Sequence, residues 1–364
     1  MAKQLFSPYT LGSVELKNRV VMAPMTRSRA IDNVPNDLMT EYYANRAGAG
    51  LIITEGTAPA PGALGYPRIP GAFSPAQTKG WKEITDAVHA GGGLIYLQLM
   101  HTGRVTHPAN LPGGSGRILA PSAVGLTKTK MYVDGEGELP MPVPEEANHD
   151  DIALLIEGYV ESAKLAVRAG FDGVELHAAN GYLIEQFLNA NSNRRTDEYG
   201  GSVENRLRFA LEVAKAVSVA VGKERTGMRV SPYGVFNEIK WGDETEETFV
   251  KLAEKLSEIG LAYLHLVDHE AMGAPEVPTG IKRKIRAAFN GTLILSGGYD
   301  AERAEKDLEA GHGDLVAFGR PFIANPDLVK RMKDGLELAE PDQDTFYTPG
   351  KEGYTTYPTY QEAH

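Results

Sequence analysis

A chain of 364 residues with 42% hydrophobic content can bury one large core, and a single domain spanning 1–364 is expected. Its 48 acidic against 37 basic residues, a formal charge of −11, argue against a general nucleic-acid or anionic-membrane surface. Having no cysteine excludes disulfides, thiolate nucleophiles and cysteine-ligated iron–sulfur clusters.

The amino-terminal stretch 1–8 lacks the apolar run of a signal peptide, and no later run is long enough to cross a bilayer, so a cytoplasmic protein is expected. Strand-like segments follow at 19–22, 51–55, 94–99, 173–177, 227–231, 263–267, 293–297 and 315–319. Helical patterning separates them, clearest at 35–47, 75–90, 150–168, 202–220, 244–259 and 301–310, with Asp300 placed to cap the last. Eight strands alternating with helices imply an α/β chain folded as a (β/α)8 TIM barrel, here with an N-terminal hairpin ahead of it.

After the third strand, residues of about 100–149 form an excursion rich in Gly, Pro and Ser, too long for an ordinary barrel connection. Leu, Ile, Met and Tyr recur through it, which argues for an ordered lid with a small hairpin near 128–132.

Three strands are expected to end in polar side chains, Thr26, Gln98 and Arg229, where packing alone favours aliphatics. An inward arginine is costly unless paired. An ion pair of Arg229 with Glu175 is one reading, and a guanidinium facing the pyrimidine end of a flavin is another; the two are compatible. One flavin accounts for all three residues.

In the fourth strand, alternation turns Val174 and Leu176 to one side and Glu175 and His177 to the other. A lone His177 there is more simply a hydrogen-bonded rim histidine, and Tyr182 a packing partner of Leu183 and Phe187. With Asn180 between them, however, the three can bind a carbonyl oxygen and deliver a proton beside it. The seventh and eighth strands end at 296–298 and 318–321, where Gly298, Gly319 and Arg320 suit a phosphate. Neither a G-x-G-x-x-G fingerprint nor a Walker motif is present, which favours a phosphorylated flavin over a resident dinucleotide.

Five separated motifs resemble the old yellow enzyme family, the flavin-dependent ene-reductases, most closely its bacterial branch with N-ethylmaleimide reductase and pentaerythritol tetranitrate reductase. They are Leu-Lys-Asn-Arg-Val-Val-Met-Ala-Pro-Met-Thr-Arg at 16–27, Gln-Leu-Met-His-Thr-Gly-Arg at 98–104, His-Ala-Ala-Asn-Gly-Tyr-Leu at 177–183, Asn-Arg-Arg-Thr-Asp-Glu-Tyr-Gly-Gly-Ser at 193–202 and Ala-Phe-Gly-Arg-Pro-Phe at 317–322. The resemblance implies non-covalent FMN, with Pro24, Thr26, Ala58, Gln98 and Arg229 around its ring and Gly298, Gly319 and Arg320 at its phosphate. It makes His177 and Asn180 the pair that binds the substrate's electron-withdrawing group and Tyr182 the proton donor, with Tyr66, Met100 and Tyr347 lining the cavity. Met100 stands where several relatives have tryptophan, which implies a wider or more pliable wall.

The activity implied is ping-pong reduction of activated alkenes, such as unsaturated carbonyls, maleimides and nitroalkenes, through FMN N5. It extends to nitrate esters or nitroaromatics, with NADPH as donor, NADH as a second donor, and a monomeric enzyme. The alternative from another class is a flavin-free, metal-dependent barrel hydrolase using His177, His265, His269 and Asp268. A Schiff-base lyase is disfavoured because no strand end presents a lysine.

Overall fold

A computed structural model describes residues 4–363; the first three residues of the amino-terminal stretch read above, and residue 364, lie outside it. Eight parallel strands close into a barrel: β1 (Val20–Met22), β2 (Leu51–Ile53), β3 (Ile95–Leu99), β4 (Gly173–Ala178), β5 (Thr226–Val230), β6 (Tyr263–Val267), β7 (Thr292–Ser296) and β8 (Leu315–Phe318). Each pairs with its neighbours in the sequence, and β8 closes on β1. The eightfold alternation read from the sequence is therefore the fold.

The period of two decides what fills the barrel and what faces the helices. Val21, Leu51, Ile53, Tyr96, Tyr263, Ile294 and Leu315 make one inner cluster, while Val20, Ile52, Leu97, Leu176, Met228, Leu264 and Val316 join the larger core. Tyr96 and Tyr263 fit inside because glycines stand opposite them. A Cβ on Gly173 would sit 2.3 Å from the Tyr96 ring, and one on Gly227 would sit 2.2 Å from that of Tyr263.

The expected N-terminal hairpin is Tyr9–Leu11 paired antiparallel with Val14–Leu16. Its Leu11 and Leu16 are buried in the inner cluster, and the Tyr9 hydroxyl meets that of Thr292, the first residue of β7, at 2.9 Å. The hairpin thus plugs the amino end of the barrel and leaves chemistry to the other end.

The excursion after β3 is ordered around apolar residues of its own. Met131 and Met141 are buried with Leu64, Val105, Leu126 and Tyr182. Its hairpin is Lys130–Val133 with Gly137–Pro140, a few residues beyond the expected position. Asp300 caps Ala301–Glu309 by accepting from the Arg303 N–H. Among the described residues, no helix is long and apolar enough to cross a membrane.

Candidate active site

Past β4 the chain must reverse quickly, and it does so through two left-handed residues, Asn180 (φ 60°) and Gly181 (φ 77°). Asparagine tolerates that conformation, and at 181 a Cβ would lie 2.7 Å from the Phe236 carbonyl, so glycine is required there. The turn is tied down by a relay. Asn180 N–H donates to Ser231 Oγ at 3.0 Å, Ser231 donates to Glu185 at 2.7 Å, and Gly181 N–H donates to the same carboxyl at 2.5 Å. Burial pushes the Glu185 carboxyl up to about 8, its hydrogen bonds only partly opposing this. Tyr182 then stands at the N-cap position of the short helix Leu183–Leu188, with its side chain free of any capping bond.

The turn brings His177, Asn180 and Tyr182 together at the carboxyl end of the barrel. Ala179 N–H donates to His177 Nδ1 at 3.3 Å, which leaves the ring proton on Nε2. Burial, then Arg229, His265 and His269, hold His177 well below its ordinary pKa, so it is a neutral hydrogen-bond donor. Its ring lies 4.9 Å from that of Tyr182. The Tyr182 hydroxyl donates to Tyr66 at 3.0 Å; burial, then Tyr66, raise it well above the ordinary phenol. Asn180 Oδ1 is buried without a partner among the described residues, while the Asn180 carbonyl accepts from Asn237 Nδ2 at 2.7 Å.

One level down lies a buried polar layer. Glu175 accepts from Gln98 Nε2 and from His265 Nδ1, each at 2.8 Å. Burial raises the Glu175 carboxyl, but His265, Arg229 and Gln98 outweigh it and keep the group ionised. Arg229 and Glu175 do not form the ion pair that was one reading of the sequence, because strand register sets them at different heights. Arg229 stands opposite His177 and His265, whereas Glu175 stands opposite Gln98 and Gly227. The two interact only through the field between them, and Arg229 Nε remains buried without a hydrogen-bond partner among the described residues.

Thr26 is not at a strand end. β1 stops at Met22; Ala23 N–H still reaches the Phe318 carbonyl, and Pro24 has no N–H to continue the ladder. Pro24 and Thr26 follow in a partly exposed loop beside the barrel mouth. Ala58 is fixed by backbone bonds to Pro70 and Ala72. Met100 is buried, its thioether lying over Gly56, where a Cβ would come within 2.4 Å of Sδ. Tyr66 meets Tyr182 directly, while Tyr347 is 61% exposed on the carboxyl-terminal segment.

At the other side of the mouth, Gly298 (φ 62°) and Arg320 are exposed and Gly319 begins a short helix. Arg303, which sequence reasoning missed, reaches the Gly297 carbonyl at 3.3 Å. Its only sequence signal is its place three residues after the Asp300 cap. A buried guanidinium with a free N–H, a buried carboxamide, and glycine turns flanked by two arginines together fit a flat heteroaromatic ring with an anionic tail.

The hydrolase reading is not supported by where its residues lie. His265 is bonded to Glu175, His269 packs edge-on to Phe236 at 4.5 Å, and Asp268 is held by Lys282 at 2.8 Å and by two backbone N–H groups. Among the described residues, three or more His and carboxylate side chains converge only at His149, Asp197 and Glu198, which include none of the four residues of that reading and are largely exposed.

Comparison with known proteins points to one family. The family described as NADH:flavin oxidoreductase / NADH oxidase matches residues 4–339. The chain is 43% identical to chanoclavine-I aldehyde reductase of Penicillium roqueforti, over 97% of this chain and 96% of the relative. It is 41% identical to a probable flavin mononucleotide-dependent alkene reductase of Leishmania infantum, over 97% of each. Among solved structures, morphinone reductase in complex with tetrahydroNAD is similar at a TM-score of 0.94 and 46% identity, covering 100% of this chain and 99% of that one.

Proposed function

The chain belongs to the old yellow enzyme family, the NADH:flavin oxidoreductases, and on that premise we propose that it is an FMN-dependent ene-reductase that saturates activated alkenes with hydride from NADPH, NADH serving as a second donor. The observation that supports this most is a neutral, Nε2-protonated His177 in ring contact with the Tyr182 phenol, with Asn180 in the turn between them, above a buried polar layer that holds Arg229.

Pro24, Thr26, Ala58, Gln98 and Arg229 are the residues that would hold the flavin ring, and Gly298, Gly319 and Arg320, joined by Arg303, its phosphate. When bound, FMN supplies the redox chemistry, taking hydride from the nicotinamide and returning it to the alkene's β-carbon. His177 and Asn180 donate hydrogen bonds to the alkene's carbonyl or nitro oxygen, polarise the double bond and stabilise the negative charge that develops on that oxygen. Tyr182 gives its proton to the α-carbon. A phenol whose pKa is raised by burial stays protonated until a strongly basic carbon forms beside it, which suits the task.

NADPH deuterated at the nicotinamide C4 should leave its label on the β-carbon of reduced 2-cyclohexenone, and D2O should label the α-carbon. Label at neither position would contradict the reading.

A further inference from the structure

Arg68 stands out because its backbone is left-handed (φ 53°), a conformation a bulky side chain rarely adopts. Its guanidinium joins three segments around the barrel mouth. Nε donates to the Ser28 carbonyl at 3.0 Å, Nη2 donates to the Tyr347 carbonyl at 2.8 Å, and Nη1 pairs with Asp134. Ser28 is in the loop after β1, Tyr347 in the carboxyl-terminal segment, and Asp134 in the turn of the lid hairpin.

These segments differ in how firmly they are held. The carboxyl-terminal segment is fixed independently, because Arg27 and Arg29 donate to the carbonyls of Thr345, Phe346, Gly350, Glu352 and Gly353. The approach to the hairpin is fixed too, since the Glu238 carboxylate accepts from the N–H groups of 127, 128 and 129; these contacts overcome its partial burial and bring its pKa down to about 2. In the hairpin's first strand, Met131 is buried and Asn110 donates to the Tyr132 carbonyl at 3.0 Å. For the turn itself, the Asp134 side chain finds its hydrogen bond in Arg68.

We propose that Arg68 is a specificity-determining residue that fastens the hairpin turn to the fixed carboxyl-terminal segment and so limits the size of alkene that can reach Tyr182. The inference rests on the function proposed above. Arg68 stands two residues from Tyr66, whose hydroxyl accepts from Tyr182, so the fastening acts at the mouth of the reacting centre and not at a remote surface. The Asp134 carboxylate is half exposed while the Arg68 side chain is 12% exposed, so the pair is a fastening of modest strength that ordinary substitutions can open.

Arg68→Gly removes the guanidinium and keeps the left-handed turn that positions Tyr66, and Asp134→Asn opens the same contact from the exposed side. The test compares kcat and KM for 2-cyclohexenone and for trans-chalcone, a two-ring enone, with amide exchange followed over 131–138. Each variant should raise the chalcone-to-cyclohexenone ratio of kcat/KM about fivefold, mainly through KM, and the double variant should add little beyond either. Amide exchange at the hairpin turn should rise in parallel. An unchanged ratio in both single variants overturns the proposal, even if exchange increases. A wild-type protein inert toward 2-cyclohexenone would instead sink the proposed function, so the two failures are distinguishable.

Discussion

The Tyr182 hydroxyl donates to the Tyr66 hydroxyl at 3.0 Å, the two rings lying nearly perpendicular at 87°. The phenol proposed as proton donor is held protonated mainly by burial and is aimed by this hydrogen bond. Tyr182→Phe should slow alkene reduction by about 100-fold while sparing flavin reduction by NADPH, as stopped-flow measurement of the two half-reactions would establish. Equal losses in both would remove the assigned role. Tyr66→Phe, which leaves the proton on Tyr182, should cost less than tenfold.

Binding of phenolic ligands reports on the other two members of the site. His177→Ala should weaken binding of p-hydroxybenzaldehyde by about tenfold or more, since one hydrogen bond to a charged oxygen is lost. For Asn180 the informative change is to glycine, because it keeps the left-handed backbone and removes only the carboxamide. Unchanged affinity in both variants would exclude the oxyanion pair.

Arg229→Met should weaken FMN binding by about tenfold and make the bound flavin harder to reduce, because the free guanidinium N–H is lost from the buried layer. Fluorescence titration gives the first quantity and a dye-coupled reduction titration the second. A normal Kd with an unaltered potential would place Arg229 in a purely structural role.

Glu185 predicts a pH dependence of stability with a definite sign. Its carboxyl titrates near 8 in the folded chain against an ordinary 4.5, so between those values the native state keeps a proton that the unfolded chain releases. Its contribution is therefore fully present below about 4.5 and is lost as the pH rises through 8. Glu55, pushed up to about 7 mainly by burial, acts in the same direction. Thermal melts should show Tm falling between pH 5 and 9, and Glu185→Gln should flatten that fall. Parallel curves for the two proteins would contradict the assignment.

The barrel was legible because its strands are short apolar runs bracketed by turns, and the candidate site because the residues from His177 to Tyr182 are contiguous. What escaped had no local signature. The helix Leu183–Leu188 is buried on every side and shows no amphipathic period, and Thr279–Ala288 buries only Ile281 and Ile285. Thr26 was misplaced because a proline two residues earlier ends the ladder before the polar residue arrives. The Asn180–Ser231–Glu185 relay and the fastening of Asp134 by Arg68 join residues 46 to 66 positions apart, which no periodicity records. The height difference between Arg229 and Glu175 depends on strand register, which closure of the barrel sets.

A flavin over the buried layer of Gln98, Glu175 and Arg229, serving a nicotinamide and an electron-poor alkene in turn, would give the protein a colour that reports each half-reaction. The most direct measurement is the visible absorption spectrum of the purified protein under anaerobic conditions. A yellow flavin spectrum should bleach on adding NADPH and return on adding 2-cyclohexenone. A protein that stays colourless after incubation with FMN, or whose bleached flavin is not restored by the alkene, would contradict the account.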